Sequence, residues 1–137
     1  MSKKTDLIAF LEQGFDKLNT DFPKNREVTA ALFQKVSDFL DTDFEEMTDN
    51  CVYRHFLTSW KEIISFAVQA GVSKSYLRCF LKHLNNKMFL DYLGSYAKTR
   101  ANDFRLIMNR FVNCFTVSNV EMDSVLREIV YLIDCWM

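Results

Sequence analysis

Apolar residues recur every three or four positions along almost the whole chain, which is the period of an amphipathic α-helix. Polar segments separate the periodic stretches, and Pro23 and Asn25 break the first two apart. The pattern predicts seven helices, over residues 6–19, about 25–40, 42–57, 59–72, 73–94, about 102–115 and 118–137. An all-α fold is therefore expected.

Three of these helices are predicted to begin at the pattern S/T-x-x-E. In this capping box the first side chain accepts from the backbone N–H of the glutamate, whose carboxylate accepts in return from the first residue's N–H. The pairs are Thr42 with Glu45, Ser59 with Glu62, and Ser118 with Glu121. Ser73 is a further N-cap, Gly71 and Gly94 mark helix ends, and Gly14 is the weak point of the first helix.

The segment from Ile63 to Val72 carries no charge, and its apolar residues fall on every side of a helical wheel. A helix that is apolar all round belongs in the protein interior. The segment is too short for a bilayer, which needs roughly 20 apolar residues. With the following helix, over residues 74–93, it predicts a hydrophobic helical hairpin at the centre of a bundle.

Composition favours one helical domain over residues 1–137. That length is enough to bury a core, and 13 Phe against 3 Gly and 1 Pro favour long helices over sheet. The net charge of −1 gives no general reason to expect nucleic acid or an acidic membrane as a partner. Four widely spaced Cys residues and the lack of a signal peptide indicate reduced thiols in an intracellular protein.

No catalytic signature outweighs a structural explanation. The chain has no G-x-S-x-G, phosphate-loop or H-E-x-x-H motif. Cys79 and His83 have the i, i+4 spacing of metal ligands, but a buried Cys beside a polar-face His explains them more simply. A solvated helix start, favoured by the helix dipole, explains the acidic residues Asp41, Asp43, Glu45 and Glu46. We expect a protein that is not an enzyme and that uses no cofactor or metal.

Two segments resemble homology motifs of the Bcl-2 family of apoptosis regulators. Residues 59–71, SWKEIISFAVQAG, match the family's first motif, N-W-G-R-I-V-A-F-F-x-F-G-G, at the Trp, the following apolar pair, the Phe and the second closing Gly. The family's third motif has four apolar anchors and a small residue before Asp. It is matched by Phe33, Val36, Ser37, Asp38 and Leu40, with Thr29 as a poor first anchor. The motifs stand in the family's order and cover under half of the chain.

The resemblance implies a Bcl-2-like bundle of about seven helices with a surface groove for an amphipathic pro-death helix. The function would be inhibition of apoptosis, by sequestering pro-apoptotic family members before they permeabilise mitochondria. The groove would be lined by Leu40, Phe44, Met47, Tyr53, Phe56, Trp60, Lys61, Glu62, Ser65 and Phe66. Burial in the core is the simpler alternative for any one of them.

Two departures from the family pattern bear on binding. The family's Gly-Arg pair is Lys61-Glu62 here, and a glutamate would repel the ligand Asp that the Arg normally binds. Lys61 is a substitute only as a point charge, so we expect narrow ligand selectivity. Only 21 residues separate Asp38 from Trp60. One family helix is therefore expected to be lost or reduced, which resembles the shortened viral members.

Other functions stay open at this point. A helical adaptor of similar fold would block host inflammatory signalling through a flat, charged surface and would ignore isolated death-ligand helices. A protein that binds a lipid between its helices would also fit the Phe content. A second copy of the chain would cover a free apolar groove and form a homodimer. The expected location is the cytoplasm, that of the host if the chain is viral, with peripheral attachment to mitochondria only through a partner and no integral membrane segment.

Overall fold

A computed structural model describes residues 3–115 and 121–136, and within these ranges the chain is all-helical, as predicted. Short 3₁₀ turns lie between helices at Pro23–Asn25, Phe44–Glu46 and Lys98–Arg100. The seven α-helices are α1 (Lys3–Asp21), α2 (Arg26–Leu40), α3 (Asp49–Gln69), α4 (Lys74–Leu84), α5 (Lys87–Tyr96), α6 (Ala101–Cys114) and α7 (Met122–Trp136). None of these helices is both long and apolar enough to cross a membrane.

Helix α3 is continuous, so the two helices predicted over 42–57 and 59–72 are one. Its N-cap is Thr48, whose hydroxyl accepts from the backbone N–H of Cys51 at 3.2 Å. The capping boxes predicted at Thr42 and Ser59 are therefore wrong, since the first lies before a 3₁₀ turn and the second inside α3. The helix continues through Ser59 because its buried stripe is unbroken there, from Val52 to Ala67. Tertiary burial outweighs the local cap signal.

The end of α3 is as predicted. Gln69 is its last residue and Ala70 its C-cap, and Gly71 then adopts a left-handed φ of 82°. Only glycine takes this conformation without a steric penalty, and it commonly closes helices in this way. The turn directs the chain away from α3 and into α4, whose predicted N-cap Ser73 accepts from the backbone N–H of Tyr76 at 3.1 Å.

The single helix predicted over 73–94 is wrong, because the chain breaks at Asn85 and Asn86. Asn85 is the C-cap of α4, and Asn86 adopts an extended conformation with φ −126° and ψ 159°. The Asn86 side chain accepts from the backbone N–H of Phe89 at 2.9 Å and donates to the carbonyl of His83 at 2.8 Å. Asparagine competes with the helical backbone through such local bonds. The break lets α4 and α5 take different directions.

Helix α3, the longest of the described helices, packs on α2, α5 and α7, whereas α4 packs mainly on α1 and α6. The predicted hairpin of two long helices at the centre is therefore not formed. Nor is α3 buried on every side, because Phe66 and Val68 are only half-buried. Its buried stripe makes the core with residues from all the other helices.

The remaining helices agree with the sequence pattern. Helices α1, α2 and α6 cover the predicted stretches 6–19, 25–40 and 102–115, and α7 follows residue 121. Val125, Ile129 and Ile133 of α7 are buried. The cap predicted at Ser118 lies outside the described residues. The chain between Asp38 and Trp60 holds one 3₁₀ turn and the first half of α3.

Candidate functional site

Helices α2 and α3 border a surface cleft of about 280 Å³, here called the α2–α3 cleft. One wall comes from the end of α2 and the turn after it, and the other from the middle of α3. On each wall the helical residues recur at intervals of three or four, so they share one face of their helix. The first wall holds Lys35, Asp38, Phe39 and Thr42, and the second holds His55, Ser59, Glu62 and Ile63.

The floor of the cleft belongs to the core. Phe39 and Ile63 line it but are only 4% and 2% exposed. Beneath them Trp60 packs edge-on against Phe39 with ring centroids 5.1 Å apart, and against Phe89 at 5.5 Å. Rings packed in this way hold one another in place. The apolar floor is therefore rigid and mostly covered, while the rim is polar.

Three charged side chains stand on the rim. The ammonium of Lys35 lies over the ring of Phe66, 4.7 Å from its centroid. The Asp38 carboxylate accepts from the amide of Gln34 at 2.8 Å. Glu62 is exposed, and no described residue forms an ion pair with it. The rim thus presents two carboxylates, neither of which forms an ion pair with the nearby Lys35 among the described residues.

His55 closes one end of the cleft. Its ring stacks on Phe39 with centroids 5.3 Å apart, and its Nε2 lies 2.9 Å from the hydroxyl of Thr42. Phe44, from the 3₁₀ turn, packs on Phe39 at 5.3 Å and on Tyr96 at 5.4 Å. The connection between α2 and α3 is therefore tied to the core beside the cleft.

The ten residues predicted to line a groove divide into two groups. Five are core residues with at most 2% exposure, namely Leu40, Phe44, Tyr53, Phe56 and Trp60. The other five are half-buried or exposed, namely Met47, Lys61, Glu62, Ser65 and Phe66. Glu62 alone of the ten lines the α2–α3 cleft, and Phe66 lies beside it under Lys35.

The cleft residues that sequence reasoning missed do carry a signal. Lys35 and Phe39 share one face of α2 with Asp38, and His55 and Ser59 share one face of α3 with Glu62. Polar residues that recur every three or four positions indicate the exposed face of a helix, and such faces meet where two helices pack side by side. The apolar anchors of the two motifs are instead residues that a core buries.

The acidic residues Asp41, Asp43, Glu45 and Glu46 are exposed, as predicted, but they do not start an α-helix. They lie between the end of α2 and the N-cap of α3, and Asp41 forms an ion pair with Lys4 of α1. Asp49, in the first turn of α3, accepts from the backbone N–H and the hydroxyl of Thr99 at 3.0 and 2.6 Å. These bonds hold the pKa of its carboxyl below the usual range.

Cys79 and His83 do not form the predicted pair of a buried Cys and a polar-face His. Cys79 is exposed, and His83 is half-buried with its Nε2 3.2 Å from the carbonyl oxygen of Leu11. Burial holds the pKa of His83 below that of an ordinary histidine. Within the described ranges, no group of three or more His, Cys, Asp or Glu is placed to hold a metal ion. All four cysteines carry free thiols.

No family model, curated protein or solved structure matches the chain. The resemblance to the Bcl-2 family therefore rests on the two motif segments alone, at residues 33–40 and 59–71.

Proposed function

We propose that this chain is a non-enzymatic helical domain that inhibits apoptosis by sequestering an amphipathic pro-death helix at the α2–α3 cleft. One observation carries the proposal: the two segments that resemble the family's motifs border the same cleft. Lys35, Asp38 and Phe39 come from one segment, and Ser59, Glu62 and Ile63 from the other. A cleft between two helices is a common place for a third helix to dock.

The apolar content of such a site is small, which is consistent with narrow selectivity. Phe39 and Ile63 offer little open surface, so a bound helix would gain affinity from a few apolar contacts and from polar contacts at the rim. Met47 and Phe66, both half-buried, are the apolar residues of the predicted groove that stay partly accessible. Ligand helices whose polar residues do not complement the polar residues of the rim would bind weakly.

The test is a titration of purified protein against labelled death-ligand helices of about 26 residues, followed by fluorescence anisotropy. Binding to one or a few helices with dissociation constants from nanomolar to low micromolar, about −8 to −12 kcal/mol, is the expected result. Ser59→Arg places a long side chain in the cleft and should weaken binding at least tenfold. Thr58→Arg, at the adjacent exposed position outside the cleft, is the matched control.

Failure of every helix to bind, with circular dichroism showing folded protein, would remove this function. Equal loss of binding in both arginine variants would also contradict it, because the site would then lie elsewhere.

A second candidate function is a helical adaptor that blocks host inflammatory signalling through its surface. It is favoured by the burial of five of the apolar residues predicted to line the groove, namely Leu40, Phe44, Tyr53, Phe56 and Trp60, which are not accessible to a ligand helix. Such an adaptor would bind a folded signalling protein through exposed charges and ignore the isolated helices. Reporter assays of the apoptotic and inflammatory pathways in the same cells, with the Ser59→Arg variant in parallel, distinguish the two functions.

A further inference from the structure

We infer that the α2–α3 cleft selects its partner helix by a Lys or Arg side chain inserted between Asp38 and Glu62. The inference rests on the proposed helix docking and specifies the chemistry of the ligand. It reverses the charge expected from the family motif, in which an arginine of the binding protein meets an Asp of the ligand. Here the carboxylates belong to the cleft and the cation to the partner.

The two carboxylates face the cleft from opposite walls, Asp38 from α2 and Glu62 from α3. Their neighbouring cations do not satisfy them. Lys35 is three residues before Asp38 on the same face, yet its ammonium lies over Phe66, and Lys61 does not line the cleft. Asp38 receives a bond only from the neutral amide of Gln34 among the described contacts. A cation that enters the cleft would meet two anions that lack a charged partner.

The stability of α2 does not account for the negative charge at Asp38. Asp38 lies in the last turn of α2, which contains no basic residue, and Asp41 and Asp43 follow it. Negative charge at a helix C-terminus opposes the helix dipole and lowers helix stability slightly. No Lys or Arg occurs from residue 36 to residue 53. Lys4 of α1 pairs with Asp41, whereas Asp38 takes no part in that ion pair. The Asp38 carboxylate is therefore unfavourable for α2 itself and favourable for a cationic ligand.

The shape of the cleft also suits a long basic side chain. Its floor is apolar, from Phe39 and Ile63, while its rim carries carboxylates and the hydroxyls of Thr42 and Ser59. Lys and Arg have an apolar stem and a charged tip, so the stem would cover the floor while the tip meets the rim. An aspartate or glutamate at the same ligand position would meet the carboxylates of Asp38 and Glu62, and Lys35 is the one cationic residue among those that line the cleft.

The test compares three labelled amphipathic model helices that have the same apolar residues at i, i+4 and i+7 and differ only in the central polar residue. That residue is Arg, Gln or Asp. We expect the Arg helix to bind most tightly, with a dissociation constant roughly tenfold below that of the Asp helix at low salt. The preference should shrink as salt rises, because exposed charges are screened.

Variants of Glu62 and Asp38 test whether these two carboxylates cause the preference for the Arg helix. Glu62→Gln and Asp38→Asn should each reduce the preference for Arg over Asp by about threefold, and the double variant should abolish it. Glu27→Gln is the matched control. Its carboxylate is also exposed on α2, but it lies 11 residues, or about 16 Å, from Asp38 and outside the cleft.

The outcomes separate this inference from the proposed function. Equal binding of the three helices, lost in Ser59→Arg, would overturn the charge selection and leave the docking site in place. A preference for Arg that Glu62→Gln and Asp38→Asn do not change would overturn the inference as well. If neither the model helices nor the death-ligand helices bind folded protein, both proposals fall.

Discussion

Gly14 occupies the middle of α1 because a larger residue would collide with His83 of α4. A Cβ atom at this position would lie 1.8 Å from the Cε1 and Nε2 atoms of the His83 ring. The ring is held there by stacking on Phe10 at 5.7 Å and by its edge contact with Phe15 at 5.9 Å. The weak point of the predicted helix is thus a contact between helices.

Gly14→Ala should lower the free energy of unfolding by about 1–3 kcal/mol, as overpacked sites do. Helix propensity alone predicts the opposite, a gain of about 0.5–1 kcal/mol. Adding His83→Ala to Gly14→Ala should remove the collision, so the double variant should be more stable than the sum of the two single changes predicts. Urea denaturation of the four proteins measures this, and additive effects would contradict the contact.

His83 should also make stability depend on pH. Burial lowers its pKa in the folded protein below 6.5, the usual value for histidine. Below pH 6.5 the unfolded chain therefore binds more protons at this residue, and the free energy of unfolding falls as pH decreases. We expect lower stability at pH 5.5 than at pH 7.5. In His83→Gln the difference between these two pH values should be smaller, and an unchanged difference would assign it to other groups.

Two fully buried tyrosines differ in how their hydroxyls are satisfied. The Tyr76 hydroxyl lies 2.7 Å from that of Thr29, which itself donates to the carbonyl of Asn25 at 2.8 Å, so Tyr76 is the donor. The hydroxyl of Tyr53 has no hydrogen-bond partner among the described residues. Burial raises the pKa of Tyr53 to about 12, so it stays neutral at physiological pH.

Removing the two hydroxyls should therefore have different effects. Tyr76→Phe should lower the free energy of unfolding by about 0.5–1.5 kcal/mol, the net value of a hydrogen bond. Tyr53→Phe should not lower it, because no bond is lost and a buried polar group is removed. Thermal and urea melts of both variants give the comparison, and a larger loss in Tyr53→Phe would reveal an unseen partner of that hydroxyl.

At the scale of helices, the sequence predicts which segments are helical better than where they begin and end. The apolar period located every helix, because it reflects the stripe that packs on the core. It could not divide residues 73–94, since Leu84 and Met88 are four residues apart and keep the apolar period across the Asn85–Asn86 break, although Met88 is exposed. The cap signals were ambiguous as well, because the same short pattern occurs both at helix starts and inside helices. Thr48 lacks a glutamate three residues on, whereas Ser59 has one and lies inside a helix.

Alanine substitution separates a cap that is used from one that is not. Thr48→Ala removes the bond to the backbone N–H of Cys51 and should cost about 1 kcal/mol of stability. Ser59→Ala lies in the interior of α3, where alanine is favoured over serine by up to about 0.5 kcal/mol, and should not destabilise the protein. Chemical denaturation measures both. A cost at Ser59 as large as that at Thr48 would indicate a helix boundary at Ser59.

At the scale of the whole molecule, motifs located the cleft walls but not the residues that line them. A motif identifies a segment of chain, whereas the cleft depends on which side of each helix faces its neighbour. The side that holds Trp60 and Phe56 turned inward because those rings pack on Phe39 and Phe104. Glu62 was predicted because it stands where the family's first motif has its arginine, and a charged residue is rarely buried without a partner. The polar residues opposite Glu62 could not be predicted without knowing how α2 packs on α3.

Helix α7 completes the core by covering α3. Ile129 is fully buried, whereas Tyr131 on the same helix is 66% exposed. Ile129→Ala should therefore lower the free energy of unfolding by roughly 2–5 kcal/mol, and Tyr131→Ala should change it by less than about 0.5 kcal/mol. Urea denaturation gives both values. Similar small effects at the two positions would mean that α7 is not part of the cooperative unit.

The packing of α7 on α3 has a consequence during synthesis. Of the described helices, α7 is the last to leave the ribosome, more than 50 residues after α3 ends. Until then the face of α3 that α7 covers has no partner within the nascent chain, although α1 to α6 have already emerged. Translation at about 5–20 residues per second leaves that face open for several seconds. Chaperones that bind exposed apolar helices would have their best opportunity on this protein in that interval.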